Sequence, residues 1–339
     1  MSTSPAQQPS PQLFFQTVNA HQRTEALKAA VELEIFTAIA ESNQTAGDIA
    51  KRVNAAERGV RILCDTMCIM GFLTKTGSGY QLTPDSAFFL DKRSPAYVGG
   101  AVEFLLTPEL TAGFQSLTEA VRKGGTAISQ EGTVSADNPI WVKFARGMAG
   151  MMMMPSQQIA KLVDPQADKP LKVLDIAAGH GMFGIAFAMN NPKAEVVAVD
   201  WPNVLKVASE NAQRLGVGDR HRLIEGDAFG ADFGSDYDLV LITNFLHHFD
   251  PPTNETLLKK VHAALKPGGR AVTLEFVPND DRISPPESAM FSLVMLAGTR
   301  AGDAYTFAEL DEMLTNAGFT RNTIHPLPPG FQHVVISEK

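Results

Sequence analysis

Residues 173–184 read VLDIAAGHGMFG. Gly179, Gly181 and Gly184 spell G-x-G-x-x-G, and Asp200 follows at roughly the 20-residue distance of a nucleotide-binding fingerprint. Such glycines let backbone approach a ligand closely, and such an acid accepts hydrogen bonds from a ribose. Hydride transfer with a dinucleotide is one chemistry this allows. The neighbouring acids argue for another. Asp175 ends the first apolar run, Asp200 ends the second, and Gly226-Asp227 follows the third. A pyrophosphate is repelled by an acid at the first of these places, and a cationic amino-acid tail is attracted to it. S-adenosylmethionine carries an ammonium, a sulfonium, a ribose diol and an adenine amine, which suit three carboxylates. No second half follows for a nicotinamide.

The elements that must hold these acids are legible as a change of period. LKVLDIA, AEVVAVD, HRLIEGD, DLVLITN and RAVTLEFV are short β-rich runs. Helical stretches at 182–190, 202–215 and 253–265 separate them, which predicts a parallel sheet with helices on both faces. Ligands of such sheets bind beyond the carboxyl ends of the strands. A helix near 306–317 follows, then TRNTIHPL and FQHVVISEK flanking PPG, a terminal strand pair. The fold class is therefore α/β, a Rossmann-like seven-stranded mostly parallel sheet.

Residues 13–165 read as almost wholly helical. Thr45 with Asp48 starts one helix in a capping-box manner, and Gly71 ends the next. LTKTGSGYQLT then reads as a hairpin. Helix, helix, hairpin is a winged-helix pattern. Its second helix is apolar and carries only Arg58 and Arg61, so an interaction module is a better reading than a DNA reader. We divide the chain into a disordered tail (1–12), a winged-helix-like dimerisation domain (13–100), linker and pocket helices (101–165) and a cofactor domain (166–339).

With 339 residues, 44 % of them hydrophobic, the chain can build full cores. A net charge of −8 argues against a nucleic-acid partner. Cys64 and Cys68 lie at i,i+4 in an apolar helix and read as core thiols. No C-x-x-C pair or histidine cluster suggests a metal. The polar, Pro-rich start lacks a signal pattern, and no apolar run reaches membrane-spanning length, so the expected location is cytoplasmic.

LDIAAGHGMFG, VVAVDWP, IEGDAF, LHHFD and LKPGGRAVTLEFVP resemble, in order, the motifs of class I S-adenosylmethionine-dependent methyltransferases. From about residue 13 to the end, the chain resembles the plant caffeate-type and bacterial polyketide-type O-methyltransferases of secondary metabolism. The resemblance implies an interleaved homodimer and a small aromatic acceptor. For the cofactor it implies contacts from Asp175, Gly179, Gly181, Asp200, Trp201, Asp227, Phe229 and Asn244. His247 takes the position of the general base and Glu275 that of the acid orienting it. His248 stands where the plant pattern has an acid, and Phe249 where it has an aromatic residue. Ala304 replaces a second acid, with Asp303 beside it. Phe144, Met148 and Met152 match pocket positions and share one helix face. Phe291 and Met295 offer a second apolar wall, and His248 joins that pocket.

The chemistry needs an acceptor proton removed and reactants held together. A free phenol titrates near about 10 and a free imidazole near about 6.5, so a closely placed histidine is a workable base. On a helical backbone His247 and His248 point about 100° apart, so only one can face the acceptor. Non-methylating members of the fold, N- or C-methylation and a cofactor-sensing regulator are the alternatives.

Overall fold

The computed structural model describes residues 9–129, 132–134 and 138–339. Residues 1–8 of the expected tail lie outside these. The chain divides into two compact units, Met1–Val102 and Glu103–Lys339.

The first unit opens with α1 (Gln12–Val18), α2 (Ala20–Glu32) and α3 (Ile35–Ala40). Glu34 adopts a left-handed φ of 55° and breaks the helical run there. In α4 (Ala46–Arg52) the Thr45 hydroxyl accepts the Asp48 N–H. α5 (Glu57–Met70) stops at Gly71, whose φ of 87° is left-handed. The hairpin β1 (Leu73–Thr76) and β2 (Gly79–Leu82) follows, then α6 (Pro84–Phe89). Ile35, Phe36, Ile49, Cys64, Met67 and Tyr80 share one buried core. The α1 side chains Leu13, Phe14, Phe15 and Val18 are exposed.

Short helices α7 (Val102–Leu105), α8 (Pro108–Gln115) and α9 (Leu117–Lys123) lead to α10 (Ile140–Val163). Pro155 sits inside α10 and removes one helical N–H, but Ile159, Ala160 and Val163 beyond it are locked in core. The sheet then builds through β3 (Leu171–Ile176), α11 (Met182–Asn190), β4 (Ala194–Asp200), α12 (Pro202–Arg214), β5 (His221–Glu225) and β6 (Tyr237–Thr243). It continues with α13 (Pro251–Ala264) and β7 (Leu265–Glu275). After α14 (Pro286–Ala289), α15 (Phe291–Gly298) and α16 (Phe307–Asn316), the hairpin β8 (Arg321–Pro326) and β9 (His333–Glu338) closes it.

The strand order is β5-β4-β3-β6-β7-β9-β8. The first five are parallel, and β9 runs antiparallel to β7 and β8. Alternation along the strands divides two cores. Val173, Leu241, Leu274 and Val334 pack against α10 and α11. Leu174, Ile242, Ala271 and Val335 pack against α13 and α16. Burial on both faces explains the unbroken apolar runs. β3 and β6 are neighbours whose connections leave in opposite directions, so a crevice opens at their carboxyl ends.

Candidate active site

The turn after β3 is tight. Ala177, Gly179 and Gly181 all have positive φ, at 52°, 58° and 75°. A Cβ on Gly181 would lie 2.9 Å from that of Ala208. Asp175 is completely buried beneath this turn. Its Oδ2 accepts the Gly184 N–H at 2.9 Å, and a Cβ on Gly184 would collide with that oxygen. Its Oδ1 is buried with no hydrogen-bond partner among the described residues. Asp200 at the end of β4 accepts the Gly179 N–H at 2.8 Å and the Trp201 N–H at 2.7 Å. Burial pushes Asp175 up to about 7, against the lowering bond from Gly184, and pushes Asp200 up to about 6. The donor set therefore leaves buried negative charge short of a cation.

Further along the strand ends, Asp227 is exposed and its Oδ1 accepts the Phe229 N–H. Phe229 meets Phe249 edge-on at 5.0 Å. Lys260 fixes this loop by donating to the carbonyls of Ala228, Phe229 and Ala231. Trp201 caps α12 and packs in a small cluster with Trp141, Ala145 and Val204.

At the end of β6 the chain makes a single 3₁₀ turn, Leu246–His248. Glu275, buried at the end of neighbouring β7, organises it. Its Oε1 accepts the Phe245 and Leu246 N–H groups, and its Oε2 lies 2.5 Å from His247 Nδ1. Asn254 donates to the Leu246 and Phe249 carbonyls, and the Tyr305 hydroxyl donates to the Phe249 carbonyl. A Cβ on Gly302 would lie 2.1 Å from the His247 carbonyl oxygen, so only glycine lets that loop cross the turn.

The two histidine rings touch, with centroids 4.3 Å apart, but meet different neighbours. His247 meets Phe291 edge-on at 4.8 Å, and Phe291 stacks on Phe276 at 4.0 Å. His248 instead meets Trp141 at 5.3 Å and Phe245 at 6.4 Å. Its Nδ1 is buried without a hydrogen-bond partner among the described residues, and desolvation holds it well below the ordinary imidazole range. Trp141 touches Phe104 and Phe144, and Phe144 stacks on His180 of the glycine turn. An arc of rings thus runs from that turn to Phe229.

On α10, Phe144 also covers Gly179, Met152 packs against the sheet core, and Met148 is half-buried. Met295 on α15 is buried. Ala304 is fully buried, while Asp303 turns outward and pairs with Arg282 at 3.3 Å. The second acid is therefore displaced from His247. Asn244, at a left-handed φ of 55°, accepts a hydrogen bond on its side-chain oxygen from the Gln332 amide in the terminal hairpin. Among the described residues no group of three or more His, Cys, Asp or Glu could hold a metal ion. Among them, too, no helix is long and apolar enough to cross a membrane.

An O-methyltransferase domain matches residues 114–320, and an O-methyltransferase dimerisation domain matches residues 15–92. The chain belongs to the O-methyltransferase family. A solved chain from Nostoc punctiforme assigned to the O-methyltransferases is 55 % identical, superposes with a TM-score of 0.94, and is covered over 98 % of this methyltransferase and 100 % of its own length. The 3-hydroxy-5-methyl-1-naphthoate 3-O-methyltransferase of Streptomyces sahachiroi is 28 % identical, over 94 % of this chain and 92 % of its own. Human N-acetylserotonin methyltransferase, solved with S-adenosylmethionine, shares the fold at a TM-score of 0.85 and 21 % identity, with 99 % of each chain covered.

Several residues around this methyltransferase's strand ends carry no sequence signal of their own. Trp141 and Phe104 complete the ring arc, Asn254 and Tyr305 clamp the His247 turn, and Gln332 reaches Asn244 across 88 positions. Of these only Asn254 was within reach of sequence reasoning. It is an amide on an otherwise apolar face of α13, four residues after the Asp250 cap.

Proposed function

We propose that this chain methylates a phenolic hydroxyl of an aromatic small molecule, using S-adenosylmethionine, with His247 as general base. The observation that carries the reading is the His247–Glu275 pair, buried at the strand ends next to the glycine turn. S-adenosylmethionine supplies an electrophilic methyl group. Asp175, Gly179, Gly181, Asp200, Trp201, Asp227 and Phe229 would hold it. The unpartnered Asp175 oxygen and the cation-poor carboxylates favour a positively charged ligand.

Glu275 holds His247 Nδ1, which leaves Nε2 as the base toward an acceptor. Glu275 also stabilises the imidazolium that forms when the acceptor's proton arrives. With its oxygens engaged by two N–H groups and the ring, it fixes the turn before reaction. Phe144, Met148, Met152, His248, Phe291 and Met295 would wall an apolar acceptor pocket that excludes water. A phenolic acceptor is consistent with the naphthoate relative. The dimerisation domain supports a homodimer.

His247→Ala tests the reading. Turnover should fall by about 10² to 10⁴, with cofactor affinity nearly unchanged. The loss should shrink at high pH, where more acceptor is already phenolate. His248→Ala should cost much less, and Glu275→Gln should fall between. A pH–rate profile of the three variants decides. Unimpaired turnover by His247→Ala at neutral pH refutes the base.

A further inference from the structure

We infer that Gln332 and Asn244 form the polar clamp that orients the acceptor, and that the turn of the terminal hairpin sets acceptor specificity; this rests on the methyl-transfer reading above. The inference begins with direction. Asp175, the glycine turn and Asp200 belong to β3 and β4, on one side of β6. The side chain of Asn244 at the end of β6 is bonded the other way, across β7, to Gln332. That bond carries the Asn244 side chain toward β7, the strand of Glu275, while the resemblance implies a cofactor contact for Asn244.

The hairpin turn is held from α10 and from α14. Gln158 on α10, the helix of Phe144, Met148 and Met152, donates to the Pro328 carbonyl at 3.0 Å. Ser288, three residues before Phe291, donates to the Phe331 carbonyl at 2.7 Å. The next residue after Gln332, His333, pairs in register with Glu275. The turn therefore sits beside the His247–Glu275 pair. Of these anchors, Gln158 comes from the helix that carries one acceptor wall, and Ser288 from α14, the short helix just before the other.

The chemistry of the clamp follows from its bond. When one amide N–H is given to the other amide's oxygen, one carbonyl oxygen and one NH₂ remain for a ligand, whichever way the two amides are turned. Among the described residues neither Gln332 Oε1 nor Asn244 Nδ2 makes another hydrogen bond. One donor and one acceptor side by side match a hydroxyl adjacent to the one being methylated. A lone phenol offers nothing for the second group to bind, and leaves it unpaired. The acceptor class that fits this clamp is thus a vicinal diphenol.

Esculetin and umbelliferone differ by one such neighbouring hydroxyl and serve as probes. Calorimetric titration into the full-length protein loaded with S-adenosylhomocysteine should show esculetin binding about tenfold tighter, the value of one well-placed hydrogen bond. Gln332→Leu should abolish that preference by weakening esculetin alone. Gln332→Glu, which keeps the acceptor oxygen, should retain part of it. S-adenosylhomocysteine affinity should not change in either variant. Equal binding of the two probes by the unaltered chain, or a preference that survives Gln332→Leu, overturns the inference. The base reading stands or falls separately, because His247→Ala acts on turnover and not on this preference.

Discussion

Neither Asp175 nor Asp200 pairs with a cation among the described residues; Asp175 is buried and Asp200 half-buried. Their pKa values, about 7 and about 6, stand above the unfolded value of about 3.9. Between those limits the folded chain binds more protons than the unfolded one. Their contribution to stability is therefore full below about pH 4 and is lost as pH rises through about 6 to 7. A bound cation reverses that loss. The thermal stabilisation given by S-adenosylmethionine should be larger at about pH 8 than at about pH 5, and its affinity should weaken up to about tenfold per pH unit below about 6. Differential scanning fluorimetry at both pH values checks this, and equal shifts would refute it. At this scale the sequence was readable where a side chain stands at or next to a strand's end, as Asp175, Asp200 and Glu275 do. It was unreadable where a contact depends on register, as for Gln332. The absence of an acid at position 304 was legible too, but the turn of Asp303 toward Arg282 was not.

The glycine turn, β3 and α11 work as one element. Gly181 needs its left-handed φ of 75°, and its missing Cβ leaves room for Ala208 of α12. Gly181→Ala should cost about 1–2 kcal/mol for the conformation alone, lowering the melting temperature by roughly 2–8 °C. It should also weaken the cofactor, because the turn must shift to relieve the 2.9 Å approach. A variant with native melting and native cofactor affinity would show the turn to be slack. The strands and helices of this unit were legible because apolar runs with period two or 3.6 dominate them. Helix α11 starts at Met182, as the glycines indicate. The break between α2 and α3 was not, since Leu33-Glu34 holds neither glycine nor proline. Packing of Ala30, Ile35 and Phe36 into one core imposes that bend. Conversely, Pro155 suggests a break that α10 does not make.

At the scale of the molecule, the dimerisation domain spans residues 15–92, and exposed Leu13, Phe14, Phe15 and Val18 on α1 ask for a partner surface. Light scattering on the full chain should report a dimer. Removal of residues 1–100 should give a monomer or an aggregate, and a clean monomer from the full chain would refute the assembly. The winged-helix order was readable from capping and turn residues. Its use for association was readable only from what α5 lacks, a basic face.

The chain contains two tryptophans, and both belong to the small cluster beside the glycine turn. Trp141 meets His248 edge-on, and Trp201 follows Asp200 directly. Intrinsic emission from this protein is therefore a local signal. It carries no background from indoles elsewhere, so ligand entry at the strand ends can be followed without a label. Burial disfavours the charged form of His248, which limits imidazolium quenching by this neighbour.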